Sequence, residues 1–194
     1  MLHRQAKVLS SGQIRAILKH ISDTRHPVRN RVIFLLSLRA GLRAKEIAAL
    51  EWRMITDAEG QIARSIRLID AAAKGRSGGV IPMANELRQS LEALRQNSPN
   101  PVGRCKVVAT ERSNETSAQV IINMFADWFS ALGFEGCSSH SGRRTFITMA
   151  ARNIGRFGGS LRDVQALARH RSLAMTQRYI EIDSRAMEKV VDGW

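Results

Sequence analysis

The sequence has few of the residues that stabilise secreted proteins or anchor membrane proteins. It contains two cysteines, Cys105 and Cys137, which are too few for a disulfide framework, so a reduced cytosolic setting is expected. Its longest apolar stretch, Val32–Leu36, is far shorter than the roughly 20 residues that cross a bilayer. The first residues lead into no apolar signal core, so secretion is not indicated. No membrane partner is expected.

Acidic residues are scarce relative to basic ones. The 194 residues include 30 Lys and Arg against 17 Asp and Glu, which gives a formal net charge of +13. This excess favours a polyanionic partner, most simply DNA or RNA, although a merely solvated basic surface is the alternative. The basic residues form no polybasic tail, so binding through a folded surface is expected. The hydrophobic content of 44% is typical of a folded globular domain.

Tyrosine is the scarcest aromatic residue. Tyr179 is the only one, beside six Phe and three Trp. It follows His170 by nine residues, and Arg169 and Arg171 flank that histidine. A single phenol near a histidine and two arginines in a basic protein suggests a nucleophile that attacks a phosphate. Core packing is the alternative explanation for this tyrosine.

Apolar periodicity predicts a mainly helical chain. Ser10 or Ser11 has the pattern of a helix N-cap, and Gln13 completes a capping box with Ser10. The run Val32–Leu36 is apolar nearly all round, which is typical of a buried central helix. After the first helix, the other predicted helices are Arg29–Ala40, Arg43–Leu50, Ala84–Gln96, Thr116–Leu132, Ser139–Ile154, Leu161–Ala168, a short helix or turn at Ser172–Tyr179, and Asp183–Val191.

Strand-like sequence occurs in one part of the chain only. Gln61–Asp70 and Gly79–Pro82 contain short β-type runs, joined by a turn-rich connection that carries Lys74. The predicted fold class is therefore mainly α (α+β): one domain over residues 1–194, with packed helices and a small antiparallel β-sheet near residues 61–82.

Two of the candidate functional residues are basic and lie in the first half of the chain. Arg43 follows Gly41 at the predicted start of a helix, where pairing with Glu46 would also explain it. Lys74 lies in the predicted hairpin loop, where the alternative is a solvated lysine without a functional role.

The other candidates lie near the C-terminus. His140 and Arg143 are three residues apart, so they project from the same side of a helical turn. His170 and Tyr179 complete the set. Simpler explanations exist for each: His140 as an N-terminal helix residue, His170 as a satisfied histidine at a helix end, and Tyr179 as core packing.

Taken together, these residues resemble the catalytic domain of the tyrosine recombinases, the phage integrase family. Gly41–Trp52 resembles the family's first-arginine box, with Arg43 as that arginine and Glu46 as its acidic companion. Lys74, eight residues before Pro82, matches the hairpin lysine. His140-Ser-Gly-Arg143, Leu167-Ala-Arg-His170 and Thr176-Gln-Arg-Tyr179 match the three boxes that follow. The resemblance spans nearly the whole chain.

The resemblance implies a site-specific DNA recombinase that acts through a 3′-phosphotyrosine. Tyr179 would be the nucleophile, and His140 would accept its proton. Arg43 and Arg143 would hold the non-bridging phosphate oxygens, to which forked guanidinium donors are suited. His170 would donate a hydrogen bond to the phosphate, and Lys74 would protonate the departing 5′ oxygen. No metal, ATP or other cofactor is expected, because cationic side chains stabilise the charge.

The resemblance also implies partners and a location. The expected partners are double-stranded DNA, three further copies in a homo-tetramer on DNA, and accessory proteins. The segment Ile180–Trp194 is expected to dock onto a neighbouring copy. The expected setting is the cytoplasm of a bacterium or phage host, in association with the nucleoid.

The sequence departs from the family pattern at three points. Arg169 stands directly before His170, where the family usually has glycine, so it is expected either to add a phosphate contact or to disturb His170. Gly142 replaces a common leucine. The family's N-terminal clamp domain is expected to be absent, as in the short members that consist of the catalytic domain alone, or the chain is a fragment.

Other functional readings remain open at this point. Cys137-x-x-His140 resembles half a zinc site but has no second ligand pair at matching spacing. The segment after Lys74 is glycine-rich but lacks the Walker spacing of a nucleotide-binding loop. A non-catalytic DNA-binding relative and a nicking and resealing enzyme of the type IB topoisomerase kind are the two alternatives to a recombinase.

Overall fold

The structure is a computed structural model, and it describes residues 6–72, 78–99, 101–110 and 113–180. These residues form a mainly helical fold with one small antiparallel sheet, which confirms the predicted fold class. The predicted helix Asp183–Val191 lies outside the described residues. The helices are α1 (Ser11–Ser22), α2 (Pro27–Ala40), α3 (Ala44–Ala49), α4 (Asn85–Gln96), α5 (Ala118–Ala131), α6 (Ser141–Asn153), α7 (Leu161–Ala168) and α8 (Leu173–Gln177), and the strands are β1 (Ser65–Leu68) and β2 (Gly79–Pro82).

The central helix is α2. It begins at Pro27, two residues before the predicted start, because proline is favoured in the first turn, where its missing N–H is not needed. Gly41 ends the helix in the left-handed conformation, with φ 63°. The predicted all-round burial of Val32–Leu36 is confirmed, since every one of these side chains is buried.

Serine side chains lie at the capped starts of two helices, and the cap predicted at Ser10 is confirmed. The Ser10 hydroxyl accepts a hydrogen bond from the Gln13 backbone N–H, and the Gln13 side-chain oxygen accepts one from the Ser10 backbone N–H. Ser160 and Asp163 form the same kind of box at the start of α7. These local hydrogen bonds fix where α1 and α7 begin, and α7 in turn sets the position of the residues that follow it.

The strands pair as predicted. In the antiparallel register Ile66 lies opposite Ile81, and both side chains are buried against the helices. The loop between the strands includes residues 73–77, which are outside the described part of the chain. Lys74 therefore has no described position.

The apolar interior consists of two clusters. The main core contains buried residues of α1–α5 and both strands, with Phe34 and Phe125 in ring contact at 6.3 Å. The second cluster is much smaller and is built around Ile147, Val164 and Ala168 of α6 and α7. Helix α6 connects the two, because it also packs against α2.

Close packing of α6 on α2 explains the glycine at position 142. A Cβ built on Gly142 would lie 2.5 Å from the hydroxyl oxygen of Ser37, which is closer than real Cβ contacts. A leucine, which the family commonly has at this position, would not fit against Ser37 without a shift of the helices. Gly142 is thus matched to this particular helix contact.

One ordered region was not predicted. After α4 the chain returns to the core, where Val107 is buried and its backbone N–H donates a hydrogen bond 2.9 Å long to the carbonyl of Leu50. A short 3-10 helix, Trp52–Met54, precedes β1. Neither segment has a regular apolar period, so sequence patterns did not reveal them. None of the described helices combines the length and apolar character needed to cross a membrane.

Candidate active site

The first arginine lies at the junction of α2 and α3. Arg43 is the N-cap of α3, and its backbone N–H donates to Glu46 Oε2 at 2.9 Å. Its side chain also donates from Nη1 to Glu46 Oε1 at 2.8 Å. Glu46 is fully buried, whereas the Arg43 side chain is 20% exposed. Glu46 therefore holds Arg43 through both its backbone and its guanidinium, while the side chain stays partly exposed.

The second arginine joins the ends of two helices. Arg143, on the first turn of α6, donates from Nη2 to the carbonyl of Ala168 at 2.6 Å and from Nη1 to the carbonyl of Gly41. These carbonyls belong to the C-terminal ends of α7 and α2, where cations are favoured. Burial, followed by the nearby charge of Arg43, lowers the pKa of Arg143 to about 10, so it remains protonated at neutral pH.

His170 lies just beyond the end of α7 and is held by a threonine. Its Nδ1 is 3.0 Å from the Thr176 hydroxyl, and both side chains are buried. Burial first, and then the charge of Arg143, lowers the pKa of His170 to about 4. The ring is neutral at pH 7. If Thr176 donates to Nδ1, the proton of the neutral ring is on Nε2, which can then donate to a phosphate.

Tyr179 follows α8 and packs against the second apolar cluster. Its ring stacks on His170 with centroids 5.3 Å apart, and the Arg144 guanidinium lies 5.9 Å from the ring centroid. The Thr148 hydroxyl donates to the Tyr179 carbonyl at 3.2 Å. Tyr179 therefore takes part in packing, and it is half-buried rather than enclosed.

Arg169 takes the backbone conformation that glycine usually supplies. Its φ of 55° and ψ of 44° are left-handed, and this geometry ends α7. The side chain is buried, and its Nη1 and Nη2 donate to the two Glu46 carboxylate oxygens at 3.2 and 2.7 Å.

A small cleft brings Tyr179 together with four basic side chains. It has a volume of about 270 Å³ and is lined by Ala6, His140, Arg143, Arg144, Arg178 and Tyr179. His140 is exposed at the N-cap of α6, as its predicted place at a helix start requires. Of the six predicted site residues, five are thus brought to one region: Arg43, His140, Arg143, His170 and Tyr179. Lys74 lies outside the described residues.

Three features of the site were missed from the sequence. Thr176 holds His170, Arg144 lies over the Tyr179 ring, and Glu46 is shared by Arg43 and Arg169. Thr176 lies in the same four-residue box as Tyr179, which was a usable signal. The Arg169 contact had none, because 123 residues separate its two partners.

A larger cavity lies elsewhere. It has a volume of about 600 Å³ and is lined in part by Pro27, Trp52, Leu94 and Lys106. None of the predicted site residues contributes to it. Residues selected from the sequence line the smaller cleft instead, so that cleft is the candidate site.

Curated relatives with similar sequences are tyrosine recombinases. Residues of this chain are 27% identical over 168 residues to tyrosine recombinase XerC of Shewanella amazonensis, covering 86% of this chain and 53% of the relative. XerC of Rickettsia rickettsii is 26% identical over 189 residues, covering 95% of this chain and 58% of the relative. The chain spans about half the length of these relatives.

Solved structures share the fold. The crystal structure of XerA recombinase superposes with a TM-score of 0.72 at 19% identity, covering 96% of this chain and 65% of that one. The Tn1549 transposon integrase in complex with transposon right end DNA gives 0.75 at 17% identity, covering 98% of this chain and 67% of that one. The model of the phage integrase family matches residues 7–185, and with nearly the whole chain matched, this protein belongs to the phage integrase family.

Proposed function

We propose that this chain is the catalytic part of a tyrosine-type site-specific DNA recombinase that cuts and rejoins double-stranded DNA through Tyr179. The observation that carries the proposal is the position of Tyr179, stacked on His170 in a cleft lined by Arg143 and His140. A phenol, a neutral imidazole and a buried guanidinium at one place are the groups that phosphoryl transfer to a tyrosine requires.

The proposed cleavage step is an in-line displacement. The Tyr179 oxygen attacks a backbone phosphorus and forms a phosphotyrosine bond to the 3′ end as the bond to the 5′ oxygen breaks. The phenol proton passes to His140, and the 5′ oxygen takes a proton from Lys74 and leaves as a hydroxyl. Rejoining is the reverse reaction with a 5′ hydroxyl as nucleophile. The phosphodiester energy is kept in the covalent bond, so the step as written consumes no ATP and uses no metal.

The cations stabilise the charge that builds up during attack. Arg43 and Arg143 would donate to the non-bridging oxygens, and Nε2 of His170 would donate a further hydrogen bond. Each buried donor of this kind changes such rates by about 10²–10³-fold in other enzymes. Because Arg143 is fixed by Ala168 and Gly41, its guanidinium needs little reorganisation before the phosphate arrives.

The proposed partner is double-stranded DNA, bound as a homo-tetramer with two duplexes and with accessory proteins. Support comes from the net charge of +13. It also comes from the fold, which is shared by XerH recombinase bound to its difH substrate, with a TM-score of 0.69 at 19% identity. Strand exchange between two duplexes requires four nucleophiles, hence four copies. The proposed setting is the nucleoid of a bacterial cytoplasm.

Covalent capture tests the proposed chemistry. Nicked duplexes of randomised sequence, together with the DNA that flanks the gene, are incubated with the protein. After cleavage the short 5′-hydroxyl fragment next to the nick diffuses away, so rejoining is prevented and the covalent adduct accumulates. The adduct is detected on a denaturing gel. Wild-type protein is expected to retain DNA, and the captured sequences report its site. Because Tyr179 is the only tyrosine, Tyr179→Phe is expected to retain none. No adduct from any duplex would refute the enzyme and favour a non-catalytic DNA-binding relative.

A second assay separates recombination from nicking and resealing. Plasmids that carry two copies of the captured site are incubated with wild-type protein. Recombinant junctions, detected by amplification across the new joint, are expected from a recombinase. Relaxed plasmid without new junctions would instead identify an activity of the type IB topoisomerase kind.

A further inference from the structure

Arg169 occupies a backbone conformation that side chains other than glycine rarely adopt. It is the only non-glycine residue with positive φ in the described part of the chain. Such a conformation persists where surrounding contacts fix it. Its backbone N–H bonds to Ala166, and the next N–H, of His170, bonds to Gln165, both at 3.0 Å. Glycine could end the helix in the same conformation, so the backbone alone does not explain why an arginine side chain is present.

That side chain makes a two-point contact with a buried carboxylate. Both terminal nitrogens of Arg169 bind the two oxygens of Glu46, and the exposed fractions are 4% for Arg169 and zero for Glu46. The remaining nitrogen, Nε, is buried and has no hydrogen-bond partner in the described structure. The guanidinium is therefore directed by Glu46 alone. A buried charge pair of this geometry is costly to break from one side.

The same two oxygens of Glu46 also hold Arg43. Oε1 accepts from Arg43 Nη1 at 2.8 Å, and Oε2 accepts from the Arg43 backbone at 2.9 Å. Glu46 thus binds two arginines at once: Arg43, whose side chain is 20% exposed, and Arg169, whose side chain is 4% exposed. If Arg169 were removed, the carboxylate would lose two donors and be free to draw Arg43 inward.

Charge leads to the same conclusion. An ionised Glu46 beside the site opposes the binding of a phosphate, and the nearby Arg43 and Arg143 would each be partly neutralised by it. Arg169 is the third guanidinium near this one carboxylate, after Arg43 and Arg143. The Glu46 pKa is lowered despite its burial, because hydrogen bonding and charge from Arg169, followed by those from Arg43, outweigh the cost of burial. Arg169 therefore leaves the charges of Arg43 and Arg143 available to the substrate.

We propose that Arg169 is a positioning residue which, by clamping Glu46, fixes the Arg43 guanidinium at the scissile phosphate. This inference rests on the proposed function, because it assigns Arg43 to the phosphate. On this proposal, Arg169 supports the function of the site and does not impair it. A lysine would retain the charge but not the two-point contact.

The cleavage test compares Arg169→Gly and Arg169→Lys with Arg162→Ala. The control removes one positive charge from an exposed position of the same helix, α7. Under single-turnover conditions with saturating nicked duplex, Arg169→Gly is expected to slow adduct formation by about tenfold or more, the worth of a charge-assisted contact. Arg169→Lys is expected to recover part of the rate, and Arg162→Ala to stay within about twofold of wild type. The DNA concentration at half-saturation is expected to change far less than the rate.

A double variant tests the route through Glu46. In a Glu46→Gln background, Arg169→Gly is expected to slow cleavage by less than about threefold further, because the shared carboxylate is already gone. Full additivity of the two effects, or a wild-type rate in Arg169→Gly, would overturn the proposal. Urea unfolding of every variant ensures that rates are compared only among folded proteins. If Arg169→Gly does not fold, the rate of Arg169→Lys decides: an unchanged rate overturns the proposal.

A third measurement does not depend on cleavage. Side-chain Nε–H signals of Arg43 are recorded by NMR in wild type, Arg169→Gly and Arg162→Ala. The Arg43 signal is expected to shift towards that of exposed arginines in Arg169→Gly only; an unchanged signal would refute the clamp. If wild-type protein forms no adduct at all, the proposed function fails, while this signal still reports on Arg169 itself.

Discussion

Arg43 and Glu46 lie at a helix that packs on α5 within the main core, whereas His170 and Tyr179 lie on segments that cover only the small second cluster. The first group is fixed by a fully buried carboxylate and by helix ends. The second is held by a threonine hydroxyl, ring stacking and a few apolar side chains, and Met175 of α8 is 39% exposed.

The contrast indicates a division between a preorganised half and an adjustable half. Donors that stabilise a transition state are most effective when they need not reorganise. A nucleophile that must meet DNA, form a covalent bond and later release it can tolerate a less stable segment, since local opening is easiest where few apolar contacts exist. We infer that the cationic half stays fixed while the α7–α8 half adapts to the substrate.

The largest effect is expected from removing the arginine that joins the halves. Arg143→Ala and Arg43→Ala should both slow cleavage by about 10²–10³-fold. Only Arg143→Ala should also lower the free energy of unfolding, by about 2–4 kcal/mol, because it deprives two buried helix-end carbonyls of their donor. Single-turnover cleavage and urea unfolding measure the two effects. If Arg43→Ala lowered the free energy of unfolding as much as Arg143→Ala, the two arginines would not differ in their structural role.

Matched cavity variants probe the two clusters directly. Phe34→Ala is expected to lower the free energy of unfolding by about 3–5 kcal/mol and to raise amide hydrogen exchange throughout α1–α5. Val164→Ala should cost less globally and raise exchange mainly in α7 and α8. Hydrogen–deuterium exchange with peptide mass spectrometry provides the comparison. If Val164→Ala raised exchange equally in α2, the second cluster would not be a separate unit.

Lowering the pH should destabilise the adjustable half of the site, which contains His170. The His170 pKa falls from 6.5 to about 4 on folding, so between these values the unfolded chain binds a proton that the folded protein excludes. With respect to His170, the free energy of unfolding is therefore highest above pH 6.5. It decreases by about 3 kcal/mol as the pH falls to 4. Urea unfolding at several pH values measures this loss. His170→Gln should flatten the profile over that interval, and an unaltered profile would contradict the assignment.

The smallest expected effect comes from the threonine behind His170. Thr176→Val replaces the hydroxyl with a methyl group and removes the hydrogen bond at Nδ1 that fixes the position of the ring's proton. Cleavage should slow by about tenfold, the worth of one hydrogen bond, with little change in DNA affinity. Thr176→Ser keeps the hydroxyl and should remain near wild type. Equal rates for Val and Ser would show that this contact does not orient His170.

Much of the fold was predictable because its signals are local. The Ser10 and Ser160 caps, the all-round apolar run of α2 and the strand pair at residues 65–82 each depend on neighbours in sequence. The return of the chain at Val107 was not predictable, because it depends on a backbone contact with Leu50, far away in sequence. The start of α2 at Pro27, by contrast, follows from a local preference of proline, and the predicted start was two residues too late.

The site divides in the same way. The resemblance to the family's motif boxes selected Arg43, His140, Arg143, His170 and Tyr179, which the structure brings to one region. The resemblance also indicated that Arg169 stands where the family usually has glycine. It gave no direction for the Arg169 side chain, because that direction is set by the placement of α7 against α3.

The most direct test of the central claim is the identity of the amino acid that carries DNA. The captured adduct is digested with nuclease and with trypsin, which cuts after Arg178 and Arg185, and the products are examined by tandem mass spectrometry. The expected result is peptide 179–185 with a 3′-linked nucleotide on the oxygen of Tyr179. A nucleotide on any other residue, or the same peptide unmodified in a sample that holds DNA, would contradict the account.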